Sequence, residues 1–101
     1  MNTTAKVVGL YLGSFNPIHK GHLSIARHVL KKAGLHEVWF VISPQSPFKR
    51  AAALLDDEYR YEMVRLAIKN NPRLCACNIE FGLPQPSYTI NTLKALKEKY
   101  P

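Results

Sequence analysis

Three short apolar runs, each followed by a stretch with helical spacing, constrain this chain more than any other feature. The first run, Lys6 to Leu12 (K-V-V-G-L-Y-L), is nearly continuous, as in a strand buried on both faces of a parallel sheet. It stops at Gly13. From Gly21 onward Leu23, Ala26, Val29, Leu30 and Ala33 recur at helical spacing, with Arg27, His28, Lys31 and Lys32 between them and Gly34 as the stop. Glu37 to Ile42 (E-V-W-F-V-I) is a second strand, and the prolines of Ser43-Pro44-Gln45-Ser46-Pro47 mark a loop that carries Lys49 and Arg50. Asp56 and Asp57 are suited to cap a helix with Met63, Val64, Ala67 and Ile68 on its inner face and Arg60, Glu62, Arg65 and Lys69 on its outer one. Asn70-Asn71-Pro72 ends it. Leu74 to Ile79 reads as a third strand, and after Gly82 to Pro86 a last helix is expected to turn Ile90, Leu93 and Leu96 inward.

The order strand, helix, strand, helix, strand, helix argues an α/β fold with a parallel sheet, right-handed crossovers and strand order 3-2-1. With 101 residues, 47% apolar and 21% charged, residues 1–101 are expected to form a single domain. In doubly wound sheets this is one half of the sheet, and a ligand sits at the carboxyl ends of the strands beside strand one. Strand one would then be a bare, apolar edge. Either a further segment covers it, or the chain self-associates there.

Other features exclude functions more than they suggest them. No run approaches the ~18 apolar residues of a membrane-spanning helix, and Met1 to Lys6 lacks the pattern of a signal peptide, so a cytoplasmic protein without membrane attachment is expected. Cys75 and Cys77, one residue apart on a strand, are poorly placed to bridge each other and have no further ligands nearby, so we expect thiols and no metal site. Fourteen basic against seven acidic residues give +7, which attracts polyanions. The basic pairs Lys31-Lys32 and Lys49-Arg50 and the helix from Lys94 to Lys99 are scattered, against the contiguous basic face of a nucleic-acid-binding module. Trp39, Tyr59 and Tyr61 are assigned to packing, and His28 and His36 to the surface. Asp56 and Glu80 are isolated carboxylates with no acid-base partner.

The chemistry lies in the loop after strand one. Gly13 permits close backbone approach, and Gly21 and His22 begin a helix whose free N–H groups attract anions. His19 and His22, three apart, can both address one phosphate group. Alone, this spacing also fits a capped turn with two surface histidines, or a metal pair.

The full string G-S-F-N-P-I-H-K-G-H-L from Gly13, placed between a buried strand and a helix, resembles the signature of the nucleotidylyltransferase superfamily, with His19-Lys20-Gly21-His22 as its H-x-G-H element. Ser43 to Lys49, the run Y-E-M-V-R-L-A-I ending at Ile68, and P-S-Y-T-I-N-T-L from Pro86 narrow the resemblance to bacterial nicotinate-nucleotide adenylyltransferases, along essentially the whole chain. The resemblance implies a Rossmann-like nucleotidyltransferase fold that transfers AMP from ATP to nicotinate mononucleotide, with Mg²⁺ accompanying ATP and no covalent intermediate. It implies that His19 and His22 are catalytic, and that Gly13, Ser14, Phe15 and Gly21 join them in binding ATP, though Phe15 equally suits the core. Asn16, Lys49, Tyr88 and Thr89 would bind the acceptor. Other adenylyltransferases of the same fold, acting on nicotinamide mononucleotide or phosphopantetheine, share the histidine motif. Such enzymes run to nearly twice this length and carry a later I-S-x-T-x-x-R motif that does not occur before Pro101, so the chain is expected to be an N-terminal portion with an incomplete ATP site. Gln45 stands where asparagine is common.

Overall fold

The computed structural model describes residues 7–44, 57–83 and 89–100. Strand β1 (Val8–Gly13) leads to helix α1 (Lys20–Lys32), β2 (Glu37–Ile42), α2 (Asp57–Ile68), β3 (Leu74–Cys77), a 3-10 turn at Ile79–Gly82 and α3 (Thr89–Lys99). The strands form one parallel sheet in the order β1-β2-β3, so the topology is the one expected from the sequence.

Register follows from the apolar pattern. Val8, Leu10 and Leu12 align with Glu37, Trp39 and Val41, whereas Gly9, Tyr11 and Gly13 align with Val38, Phe40 and Ile42. Because side chains alternate across a strand, the two sets face opposite sides of the sheet. On the second side Val38, Phe40, Ile42 and Leu74 pack with Phe15, Ala26 and Leu30 from the α1 side and Val64 and Ile68 of α2, and this is the core. On the first side Trp39 meets Tyr100 at the end of α3, with ring centroids 4.9 Å apart.

α1 ends as its sequence suggests, with Lys31 and Lys32 in the last turn and Gly34 at φ +64°, a left-handed conformation that glycine adopts without a Cβ penalty. Its buried residues are Ala26 and Leu30. Val29, expected on the same inner face, is exposed along with Ile25. Both line a cavity of about 230 Å³ with residues 9–12 of β1, and among the described residues β1 pairs only with β2, so nothing closes that side.

Further expectations fail. β3 stops at Cys77 rather than Ile79, because Phe81 N–H donates to Asn78 O and Leu83 N–H to Glu80 O, winding the chain into the 3-10 turn. That turn buries Glu80, whose Oε2 accepts a 2.7 Å hydrogen bond from Thr92 Oγ1 of α3. This bond fixes the rotation of α3 about its axis: Thr92 and Leu96 face inward, while Ile90 (59% exposed) and Leu93 (45% exposed) do not. In α2 the inward stripe is Arg60, Val64 and Ile68, which leaves Tyr59 and Ala67 exposed. Tyr61, by contrast, packs against the core as expected, and His28 and His36 lie on the surface. Cys75 and Cys77 are not joined in a disulfide; Cys75 Sγ lies 3.9 Å from Glu37 Oε1, and burial raises the Cys77 pKa.

Candidate nucleotide site

At the carboxyl end of β1 the chain turns through residues 14–19 before entering α1. The turn bounds an open cleft of about 470 Å³, lined by Tyr11 through Pro17 together with His19 and His22. Two features shape it. Gly13 O accepts from Ser43 N–H at 2.9 Å, which ties the end of β1 to the end of β2. Phe15 takes φ 49° and turns its ring into the core, where it meets Tyr11, His22 and Phe40 edge to face at centroid distances of 5.2, 5.1 and 5.3 Å. With 3% exposure its side chain is core, so only its backbone is offered to the cleft.

His19 is the N-cap of α1. Its Nδ1 accepts from Gly21 N–H at 3.0 Å, while His22 Nδ1 accepts from His19 N–H at 3.0 Å, so the two imidazoles form a capping box usually built from Ser or Thr and Glu. A neutral imidazole that accepts at Nδ1 carries its proton on Nε2. The helix start therefore sets both tautomers and leaves two Nε2–H donors on rings stacked 3.9 Å apart. Burial, and secondarily the neighbouring His19, holds the His22 pKa below its ordinary value of 6.5. Gly21 is required by close approach, since a Cβ there would lie 2.8 Å from His19 Cε1. The capped turn and the paired phosphate donors, alternatives at the level of spacing, are thus compatible in one geometry.

Among the described residues no three His, Cys, Asp or Glu side chains cluster as a metal would require, and no carboxylate lines the cleft.

Of the residues expected at the site, Gly13, Ser14, Phe15, Asn16, His19 and His22 all line this cleft, with Gly21 capped behind them. Thr89 is exposed at the start of α3 and is not among the lining residues. Lys49 and Tyr88 lie outside the described residues. Arg60, which the helical pattern put on the outer face of α2, is fully buried beneath the cleft: Nη1 donates to Ser14 O at 2.5 Å and Ser43 O at 2.8 Å, and Nη2 pairs with Asp57. The only sequence hint of that role is Asp57, three residues earlier on the same helix.

Residues 10–100 match the cytidylyltransferase-like family. The chain belongs to that family. Within it, similar curated proteins include the probable nicotinate-nucleotide adenylyltransferases of Cytophaga hutchinsonii, 52% identical over 93% of this chain and 49% of the relative, and of Bacteroides fragilis, 52% identical over 92% and 46%. The Plasmodium falciparum nicotinic acid mononucleotide adenylyltransferase, solved in complex with NaAD, superposes with a TM-score of 0.76 at 25% identity, over 96% of this chain and 48% of that one. The chain spans about half the length of the curated relatives it matches. The parallel sheet with flanking helices expected from the sequence is thus the fold of this member of the cytidylyltransferase-like family.

Proposed function

We propose that the cleft binds the triphosphate of ATP and that the chain supplies this part of a nicotinate-nucleotide adenylyltransferase. The observation that carries the reading is the capping box, which aligns two Nε2–H donors of fixed tautomer beside a backbone loop without a carboxylate. An anion there would meet these donors and, among the described residues, no carboxylate. The names of the similar proteins supply the acceptor, nicotinate mononucleotide.

In the proposed reaction a phosphate oxygen of the mononucleotide attacks the α-phosphorus of ATP, the α–β bridging bond breaks, and pyrophosphate leaves with that electron pair. The attacking group is already an anion near neutral pH, so no general base is needed and the work is positioning and charge stabilisation. His22, kept neutral, donates from Nε2 to the charge that develops on the triphosphate, with His19 beside it. Loss of one such donor typically raises a barrier by about 3 to 4 kcal/mol. Mg²⁺ would arrive bound to ATP. Asn16 would face the acceptor from the cleft, with Lys49, Tyr88 and Thr89 as further contacts. A cytoplasmic location fits substrates of this kind.

The test is pyrophosphate release by the full chain with Mg-ATP and nicotinate mononucleotide, nicotinamide mononucleotide or phosphopantetheine in turn, beside calorimetric binding of Mg-ATP alone. Binding of Mg-ATP that is lost when His19 or His22 is replaced supports the site. Turnover with a non-pyridine acceptor, or no Mg-ATP binding at all, would refute the reading.

A further inference from the structure

Arg60 is a charged side chain with no exposure, and the proposed transfer makes no direct use of it. A buried guanidinium is costly unless its donors are satisfied. Here two of its partners are the carbonyls of Ser14 and Ser43, which follow β1 and β2 and lie 46 and 17 residues away in sequence. Another is the Asp57 carboxylate. Arg60 therefore joins the turn that lines the cleft to the segment leaving β2.

Orientation follows from the peptide plane. The Ser14–Phe15 peptide is trans, so its carbonyl and its N–H point in opposite directions. With Ser14 O drawn toward Arg60, the Phe15 N–H points away from the guanidinium. Among the described residues that N–H meets no acceptor within the chain. Phe15 also holds a positive φ, which a non-glycine residue keeps only when its surroundings over-determine it, and here the buried ring on one side and the Ser14 carbonyl on the other do so.

We propose that Arg60 is a positioning residue: by holding the Ser14 carbonyl it turns the Phe15 N–H into the cleft as an anion donor beside His19 and His22. The inference rests on the reading of that cleft as a triphosphate site. Backbone donors set in this way need no reorganisation when a phosphate arrives, unlike a lysine on a mobile stem.

The experiment compares the ¹⁵N-labelled full chain with its Arg60→Met and Arg60→Lys variants, by amide exchange without ligand and by titration with Mg-ATP and with inorganic pyrophosphate. In the unsubstituted chain the Phe15 amide resonance should move on titration. Arg60→Met should weaken binding at least about tenfold, in line with loss of a charge-assisted contact. It should also speed exchange at residues 13–16 while amides of the β1–β2 ladder stay protected, and Arg60→Lys should recover part of both effects. Unchanged affinity and an unchanged Phe15 response in Arg60→Met would overturn the proposal. So would an equal loss of protection in turn and ladder in both variants, the mark of a general stability role. If the unsubstituted chain binds neither probe, the triphosphate reading fails, and the ligand-free exchange still decides the role of Arg60: selective release of residues 13–16 supports it, and none overturns it.

Discussion

His19 performs two tasks that a pair of substitutions separates. Its Nδ1 caps Gly21 N–H at 3.0 Å, and the same bond leaves Nε2–H as the donor proposed for the triphosphate. His19→Ala removes both. Loss of an N-cap side chain costs about 1 kcal/mol, and in a domain of this size 1 kcal/mol lowers Tm by roughly 4 to 8 °C. His19→Asn keeps the cap, because asparagine Oδ1 lies as many bonds from Cα as histidine Nδ1 and is a preferred acceptor at this position. It loses the distal donor and the stacking on His22. A hydrogen bond to a charged group contributes about 1.5 to 3 kcal/mol, so the asparagine variant should bind Mg-ATP about 10- to 150-fold more weakly. Circular-dichroism melting and isothermal calorimetry on the two variants measure the two tasks independently. The expected pattern is a Tm loss in His19→Ala largely restored in His19→Asn, with weak binding in both. An alanine variant with unchanged Tm would refute the cap. An asparagine variant that binds like the unsubstituted chain would refute the donor.

The remaining expectations concern other parts of the molecule. Because the folded chain favours neutral His22, whose pKa lies below 6.5, the unfolded chain takes up the proton first as pH falls. The stability this contributes is complete above pH 6.5 and is lost as pH drops through the window below it. Urea melts across that window should show the fall, and the same melts on His22→Asn should show a shallower one. Thr92→Val removes a donor from the buried Glu80 carboxylate and should cost about 1 to 3 kcal/mol by thermal melting, with Thr92→Ser retaining most of the stability. The bare apolar side of β1, with Leu12, Ile25 and Val29 exposed, should drive self-association that sedimentation velocity detects across a concentration series and that Val29→Lys suppresses; a monomer at every concentration would count against it.

The fold was legible because its signals are local. Continuous apolar runs marked β1 and β2 to within a residue or two, and the glycine and proline stops bounded α1 and the loops. The cleft was legible for the same reason, since among the described residues its lining comes from one continuous segment, residues 11–22. What escaped depends on contacts distant in sequence. Arg60 sits among Glu62, Arg65 and Lys69 on a helix that charge alone would turn toward water, and its acceptors are backbone carbonyls, which carry no side-chain signature. Glu80 looked solitary because its donor, Thr92, lies on another element. That one bond then turned Ile90 and Leu93 outward against the reading of α3 from hydrophobicity, and Val29 lies by the side of β1 where no described strand pairs.

The guanidinium beneath Ser14 also sets the smallest piece of this protein that can be moved elsewhere intact. Among the described residues every one lining the cleft lies before position 23, so a graft of β1, the turn and the start of α1 onto another parallel sheet would carry all of that lining. It would leave behind the cation that holds the floor of the turn in place. A transplanted loop should therefore work only in a host that brings its own arginine to that spot, and position 60 marks the earliest point at which this chain, emerging residue by residue during synthesis, holds both the turn and the arginine that grips it.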